Sequence, residues 1–583
     1  MILQALYDYY QRKAADPDSN IAPRGFERKE IPFIIVIDNE GRFVNLEDTR
    51  SGEGKQKRAK TFMVLKTKGR TGSKAYETAN VFWDHWGYVL GLPKDETEKA
   101  IEDAKKQNQT FVAQVKQLSE KYGENNQFAA VCKLLDQEEQ IQKILEHENW
   151  KDCYKIPGCN LSFRLAGESG IVSEHDDLRN EVEVVNILDD EEQTQAQEGI
   201  CLITGEKLPI AILHSATSIP GGKSGGKLVG FQKNSGYDSY YKEQGLNAPV
   251  SKKAEDAYTT ALNVLLGKDS KNKFKIADTS VVFWSQKQND FESQFSSFFS
   301  ASPKDDPDQN IREVKALFES IHTGKLNTEG DTPFYILGLA PNAARISIRF
   351  WKTGKVADFA TNIAKHFEDL EIVRSKNDEK EYFSLFNLLS NVSFEFKVDN
   401  VPPNLAGKVI ESVLDGTKYP DTLQQQCIRR IKAEQHVNRI RAAILKAYLN
   451  RKETIYNSNE KLITMSLDLD NKNQGYLCGR LFAVLEKIQE DAQGTANIRE
   501  RFYGAFSSTP VTTFSTLMKL KNHHLAKIGG RGKTYYEKMI QEIMTGVSSN
   551  GLPAHLSLDD QSRFAIGYYH QRQDLFTKKD KNN

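Results

Sequence analysis

Two adjacent prolines, Pro402 and Pro403, divide this chain into two textures. Before them, short runs such as IPFIIVID (31–38), TFMVLK (61–66), TSVVFW (279–284), FYILGLA (334–340) and ARISIRFW (344–351) are rich in β-branched and aromatic residues and bounded by turn formers, which is the pattern of strands. After them such runs stop. Apolar residues then recur at helical spacing. Cys427, Ile431, Val437, Ile440, Ile444 and Tyr448 share a face of a predicted helix over 422–449, and Leu477, Leu481, Leu485 and Ile488 do so over 476–492. Side chains alternate every two residues on a strand and every 3.6 on a helix, so the two parts bury their apolar residues in different architectures. The expected fold class is α+β: a mixed α/β N-terminal part with antiparallel strands, followed by a C-terminal α-helical bundle.

Finer expectations follow the same signals. Residues 2–13 read as an amphipathic helix, 31–38 and 42–48 as a hairpin through Asn39–Gly41, and 61–66 as a third strand. Residues 94–149 read as helical, with Phe111, Val115, Leu118, Phe128, Val131, Leu134 and Leu135 as the buried stripe. The acidic stretch 174–198 reads as an exposed helix or linker. From Gly199 the texture shifts, and CLITGEKLPIAILHS and LVGFQ read as strands joined by turns. Lys252 to Leu266 reads as a helix, and the Gln/Ser/Asp-rich stretch 285–310 as a loop. The expected regions are therefore 1–198, with a basic glycine-rich loop; 199–402, with a glycine-rich segment and a strand pair; and 403–583, the bundle.

At 583 residues, with roughly 150 per domain, the chain has room for two to four folding units. Apolar residues are 39% and charged residues 27%, the balance of a globular protein. Six cysteines in this length argue against a disulfide scaffold and for a reducing compartment. MILQALYDYYQRK lacks the basic start and apolar core of a signal peptide. The run Phe33–Ile37 is far shorter than the ~18 apolar residues of a membrane span. A cytoplasmic protein is expected.

Net charge is zero, but the charge is segregated. Thr49 to Lys74 holds nine Lys/Arg and one acid, and Arg429 to Lys452 holds eight and one. Glu174 to Glu198 holds ten acids and one base. Segregated charge sustains strong local fields, and two basic runs suit a polyanionic partner. In the first run, Lys66, Lys68, Arg70 and Lys74 surround two glycines and Ser73, which lets cations and backbone amides approach phosphate closely. Arg345 and Arg349, with Trp351, offer the same chemistry from a strand.

No catalytic constellation stands out. Gly221 to Lys227 imitates a phosphate-binding loop, but Leu228 stands where the magnesium-binding Ser or Thr is required. Gly532-Lys533-Thr534 fails because Lys527 occupies the first glycine position. Cys153, Cys159, Cys201 and His214 lack zinc-knuckle spacing, and His523 and His524 point in different directions on a helix. No metal, cofactor or enzymatic activity is expected.

The chain resembles the large subunit of type I-C CRISPR surveillance complexes (Cascade) from end to end. The segments that carry the likeness include ILQALYDYY (2–10), GFERKEIPFIIVID (25–38), CLITGE (201–206), GLNAPVS (245–251) and FYILGLAPNAARISIRFW (334–351), and later IRRIKAEQHVNRIRAAILKAYLNR (428–451), GYLCGRLFAVLEKIQ (475–489) and FYGAFSSTPVTTF (502–514). The resemblance implies a non-catalytic subunit of an RNA-guided antiviral complex. Such a subunit reads the protospacer-adjacent motif in duplex DNA, promotes duplex opening and R-loop formation, and helps recruit a helicase-nuclease. Its implied partners are the CRISPR RNA, backbone subunits, the subunit that binds the guide's 5′ handle, small subunits and target DNA. The bundle resembles the separate small subunit of related complexes, and Met465 is a candidate internal translation start. DNA contacts are expected from Lys68, Arg70, Ser73 and Lys74, and from Lys223, Lys227, Gln232 and Asn234, whose amides suit the minor groove. Arg429, Arg430, Arg439, Arg441 and Lys446 are expected to line a path for displaced or guide-paired DNA. The alternative is a general RNA-binding or RNA-processing protein.

Overall fold

Why Phe33–Ile37 is apolar throughout, rather than alternating, is explained by its place between two strands and under helices. The structure is a computed structural model. It describes the chain apart from residues 17–18, 20, 53–56, 67–69, 71–73, 179–196, 223–225, 233–235, 237, 239, 304, 307, 324–329, 344, 376–377, 379–380, 403, 457–460 and 577–583. The chain forms two compact units, one of residues 1–217 and 229–264, the other of 218–228 and 265–583.

In the first unit, α1 (Ile2–Ala14) precedes β1 (Phe26–Glu30), β2 (Phe33–Ile37), β3 (Phe43–Asp48) and β4 (Thr61–Leu65). The expected hairpin of β2 and β3 is present, and Asp38 Oδ1 accepts the N–H groups of Glu40 (2.9 Å) and Arg42 (2.8 Å) in its turn. The third expected strand exists, but it pairs antiparallel with β1 in a sheet of its own. Next come β5 (Trp83–His85), α2 (Trp86–Leu90), α3 (Glu98–Lys121), α4 (Asn126–Leu135), α5 (Glu138–Glu146), α6 (Trp150–Tyr154) and β6 (Asn160–Leu165). β6 pairs parallel with β2, and the helices supply the long crossover that a parallel pair needs. The sheet order is β3-β2-β6-β5. Phe111, Val115, Phe128, Val131 and Leu134 are buried, as the helical spacing predicts, and Leu135 packs at the margin of the same core.

Residues 179–196 of the acidic stretch lie outside the described residues. Beyond it, β7 (Glu198–Ile200) and β8 (Lys207–Pro209) form a short antiparallel pair around Cys201–Glu206. Most of CLITGE is therefore a turn, and LVGFQ forms no strand. α7 (Lys252–Leu266) matches its expected bounds.

The second unit opens on β9 (Lys273–Ile276) and β10 (Thr279–Ser285). The stretch expected to be a loop after them contains α8 (Asp290–Phe299). Its polar composition hides four phenylalanines, Phe291, Phe295, Phe298 and Phe299, that helical spacing brings to one buried face. α9 (Gln309–His322) leads to β11 (Pro333–Asn342) and β12 (Arg345–Lys355), and the four strands form an antiparallel sheet in the order β12-β11-β10-β9. Only helices follow among the described residues, apart from short 3-10 turns: α10 (Val356–Leu370), α11 (Leu385–Val392), α12 (Leu405–Leu414), α13 (Asp421–Glu434), α14 (Arg439–Tyr456), α15 (Gln474–Gln493), α16 (Ile498–Phe506), α17 (Pro510–Ile528), α18 (Gly530–Thr545) and α19 (Leu558–Phe576). Sheet and helices share one hydrophobic core that runs from Phe274 to Tyr569.

Two details correct the reading of the bundle. The helix expected over 422–449 is two, α13 and α14. Gln435 adopts φ 50°, which ends α13 in a left-handed cap, and Asn438 Oδ1 accepts the Arg441 N–H (2.9 Å) as α14 begins. In addition, α15 and α19 cross almost backbone to backbone. A Cβ on Gly479 would lie 2.0 Å from the Phe564 carbonyl oxygen, and one on Gly567 would lie 2.3 Å from that of Tyr476. No residue larger than glycine fits either place without separating the helices.

Candidate nucleic-acid interface

The basic loop of the first unit begins where β4 ends. Lys66 Nζ meets Asp256 Oδ1 at 2.6 Å. Desolvation works against this ammonium, but the charge of Asp256 outweighs it and holds the pKa above its ordinary value. Arg70 also turns inward. Nη1 donates to Asp84 Oδ1 (2.9 Å), Nη2 contacts Oδ2, and the guanidinium lies 4.0 Å from the centre of the Tyr88 ring. Asp84 is 1% exposed and also accepts the N–H groups of Asn80 (3.0 Å) and His85 (2.8 Å). Arg70 is thus occupied in neutralising a buried carboxylate. Lys74 stands in solvent, 77% exposed, 3.5 Å from Glu77. Lys68 and Ser73 lie outside the described residues.

In the glycine-rich segment, Lys223 and Asn234 lie outside the described residues. Lys227 forms a parallel β-bridge with Arg345 at the start of β12, so two cations distant in sequence become neighbours within the second unit. Gln232 is exposed and belongs to the first unit. Arg349 is engaged with Asp278 (2.6 Å) and Asn404 (3.1 Å), and Trp351 stacks on Tyr335 with centroids 5.8 Å apart.

The basic run of the bundle divides sharply. Arg429 is exposed. Arg430 is half-buried, beside Glu434 (3.7 Å) and 5.5 Å from the Phe394 ring centre. Arg439 pairs with Asp378 (3.1 Å) and stacks on Phe383 (4.5 Å). Arg441 and Lys446 do not lie on a surface path. Arg441 is 0% exposed, with Nε on the Asn391 carbonyl (2.9 Å), Nη1 on that of His436 (3.0 Å) and Nη2 on Glu434 (2.5 Å). Lys446 Nζ donates to the Asp369 carbonyl (2.9 Å), and burial lowers its pKa. A helix inside a bundle has no solvent face wide enough for every cation, so these two close the α13–α14 break and the packing of α14 on α10.

Open cations also stand on α17 and α18. Residues 510–536 hold five Lys/Arg and no acid. Lys519, Lys527, Arg531 and Lys533 are exposed and Lys521 is half-buried. Among the described residues, none of the five has a carboxylate at ion-pair distance. The corner between the helices is Gly529-Gly530, with φ 61° and 49°, and a Cβ on either would meet nothing within 4 Å. The glycines are there for backbone conformation, and the corner stands in open space. α18 starts there without a side-chain cap and without an acid in its first turn, while Arg531 and Lys533 sit at its positive end. Each such placement is unfavourable by about 0.3–1 kcal/mol unless an anion is near. The acid-free stretch is the sequence signal for this surface, and the rejected Gly-Lys-Thr motif lies within it.

Of the cysteines and histidine weighed as metal ligands, Cys201 Sγ accepts the Ser251 N–H (3.2 Å) and His214 Nδ1 bonds the Tyr258 hydroxyl (2.5 Å). No group of three His, Cys, Asp or Glu is placed to hold a metal ion among the described residues. No helix among them is long and apolar enough to cross a membrane.

The family of CRISPR-associated proteins described as Cas_Csd1 matches residues 6–576, nearly the whole chain. The chain belongs to this family. It is therefore a CRISPR-associated effector subunit, and membership implies a CRISPR complex as its partner. No curated protein matches it significantly.

Proposed function

We propose that the chain is the non-catalytic large subunit of a type I-C surveillance complex in the cytoplasm. In this reading it recognises the protospacer-adjacent motif in duplex DNA, promotes R-loop formation and helps recruit a helicase-nuclease. Membership of a CRISPR-associated family supports the setting. The observation that carries the nucleic-acid role is the acid-free α17–α18 stretch, with unpaired cations along α17 and two, Arg531 and Lys533, in the first turn of the uncapped α18. Cations held where the helix dipole repels them are stabilised by an anion, and phosphate is the anion that such a complex supplies. Lys74, Arg429 and the neighbours Lys227 and Arg345 are further contacts on this reading; Arg70 is committed to Asp84.

The test is the assembled complex with guide RNA and matched duplexes bearing randomised flanks, at two salt concentrations. Binding depends on one flanking motif and requires this chain. Changing Lys519, Lys527, Arg531 and Lys533 together to glutamine weakens all sequences alike and lowers the slope of log K against log salt by about 3. Motif dependence that survives omission of the chain overturns the recognition role, and an unchanged slope removes this stretch from the DNA path.

A further inference from the structure

Tyr240 and Tyr241 are 90% and 108% exposed, the most open aromatic side chains among the described residues. A tyrosine on a loop usually lays its ring on the surface. Here two in succession do not, and both take left-handed backbone, with φ 50° and 61°. That conformation is unfavourable for residues with a Cβ and persists where surrounding structure imposes it. The surroundings are built to do so. Asp238 Oδ1 accepts the Gln244 N–H (2.9 Å) and Asn247 Nδ2 (3.2 Å), and the same Nδ2 reaches the carbonyls of Lys242 (3.0 Å) and Gln244 (3.1 Å). Gly245 donates its N–H to the Ile212 carbonyl (3.1 Å), and a Cβ on it would lie 2.1 Å from the Ala211 oxygen. The base of the loop is thus pinned by side chains and by close backbone approach, while its tip holds two rings that pack on nothing.

We propose that the Tyr240–Tyr241 knuckle is a stacking platform for unpaired nucleobases, an inference that rests on the nucleic-acid role above. Every base has a π-face, so stacking needs rings that are open and held in place rather than a matched set of hydrogen-bond donors. Of the charged residues next to the rings, Asp238 is tied into the loop by Gln244 and Asn247, and Lys242 and Glu243 are exposed. Exposed Lys242 stands beside the rings to meet a phosphate.

The experiment uses the full-length chain and single-stranded oligonucleotides carrying 2-aminopurine, whose fluorescence is quenched by stacking. The wild type binds and quenches. Tyr240→Ala/Tyr241→Ala binds about 10- to 100-fold more weakly and does not quench, with an unchanged salt slope because phosphate contacts remain. Tyr240→Phe/Tyr241→Phe keeps both binding and quenching. Equal binding and quenching by the alanine variant overturns the proposal, as does failure of the phenylalanine variant. Should the alanine variant bind strands normally but fail to join its partner subunits, the knuckle is a protein contact and the proposal is wrong. A wild type that binds no nucleic acid overturns this proposal and the nucleic-acid role together.

Discussion

Replacing Arg70 with alanine separates a structural role from a DNA-contacting one. The guanidinium makes a two-point contact with Asp84, which is 1% exposed, and covers the Tyr88 ring. Removing one member of a buried ion pair typically destabilises by 3–5 kcal/mol, because the other charge is left without compensation. Arg70 itself is 22% exposed, and Asp84 keeps two backbone N–H donors, so the lower end applies, about 3 kcal/mol. For a unit of this size that lowers Tm by roughly 6–12 °C. The assay is thermal unfolding of Arg70→Ala, Asp84→Ala and the double variant, with DNA binding measured below the lower transition. The double variant loses less stability than the sum of the singles, because removing Asp84 relieves the uncompensated charge. Arg70→Lys falls between, since an ammonium cannot reproduce the two-point contact. If Arg70→Ala unfolds with the wild type and loses DNA affinity, the ion pair is dispensable and Arg70 is a contact after all.

Three other outcomes are expected. Gly479→Ala drives a methyl into the Phe564 carbonyl and destabilises the second unit by about 3 kcal/mol, read as a lower denaturant midpoint, whereas Gly504→Ala, with nothing within 4 Å, leaves the midpoint essentially unchanged. Burial holds His570 down to about 3, from 6.5, so the unfolded chain takes up this proton first; stability is full above pH 6.5 and falls as pH drops towards 3, by about 2 kcal/mol between pH 7 and 5. His570→Gln shows a shallower pH dependence of the denaturant midpoint, and an equal slope would mean that the imidazole is accessible when folded. Arg441→Ala destabilises the bundle strongly while Arg429→Ala does not, and a purely DNA-binding defect in folded Arg441→Ala would contradict its burial.

The sequence by itself determined what depends on local periodicity and composition. It marked the β2–β3 hairpin, β10 to β12 and the apolar stripes of α3, α4 and α15, because side-chain spacing follows backbone geometry, but it put the change from strands to helices at Pro402-Pro403 when the last strand ends at Lys355. It also carried the family likeness, which depends on residue order alone. Tertiary structure decided whatever depends on partners remote in the chain. α8 was hidden because its polar residues mask a phenylalanine face that only a neighbouring core rewards. The break at Gln435 was invisible because its caps are ordinary residues. Charge was the least legible feature. A lysine or arginine has the same sequence signature whether it meets solvent or a buried acid 14 residues away, as Arg70 does. Arg441 and Arg429 belong to one basic run, yet one is sealed in the bundle and the other is open to water, because α13 and α14 turn only part of their circumference outward.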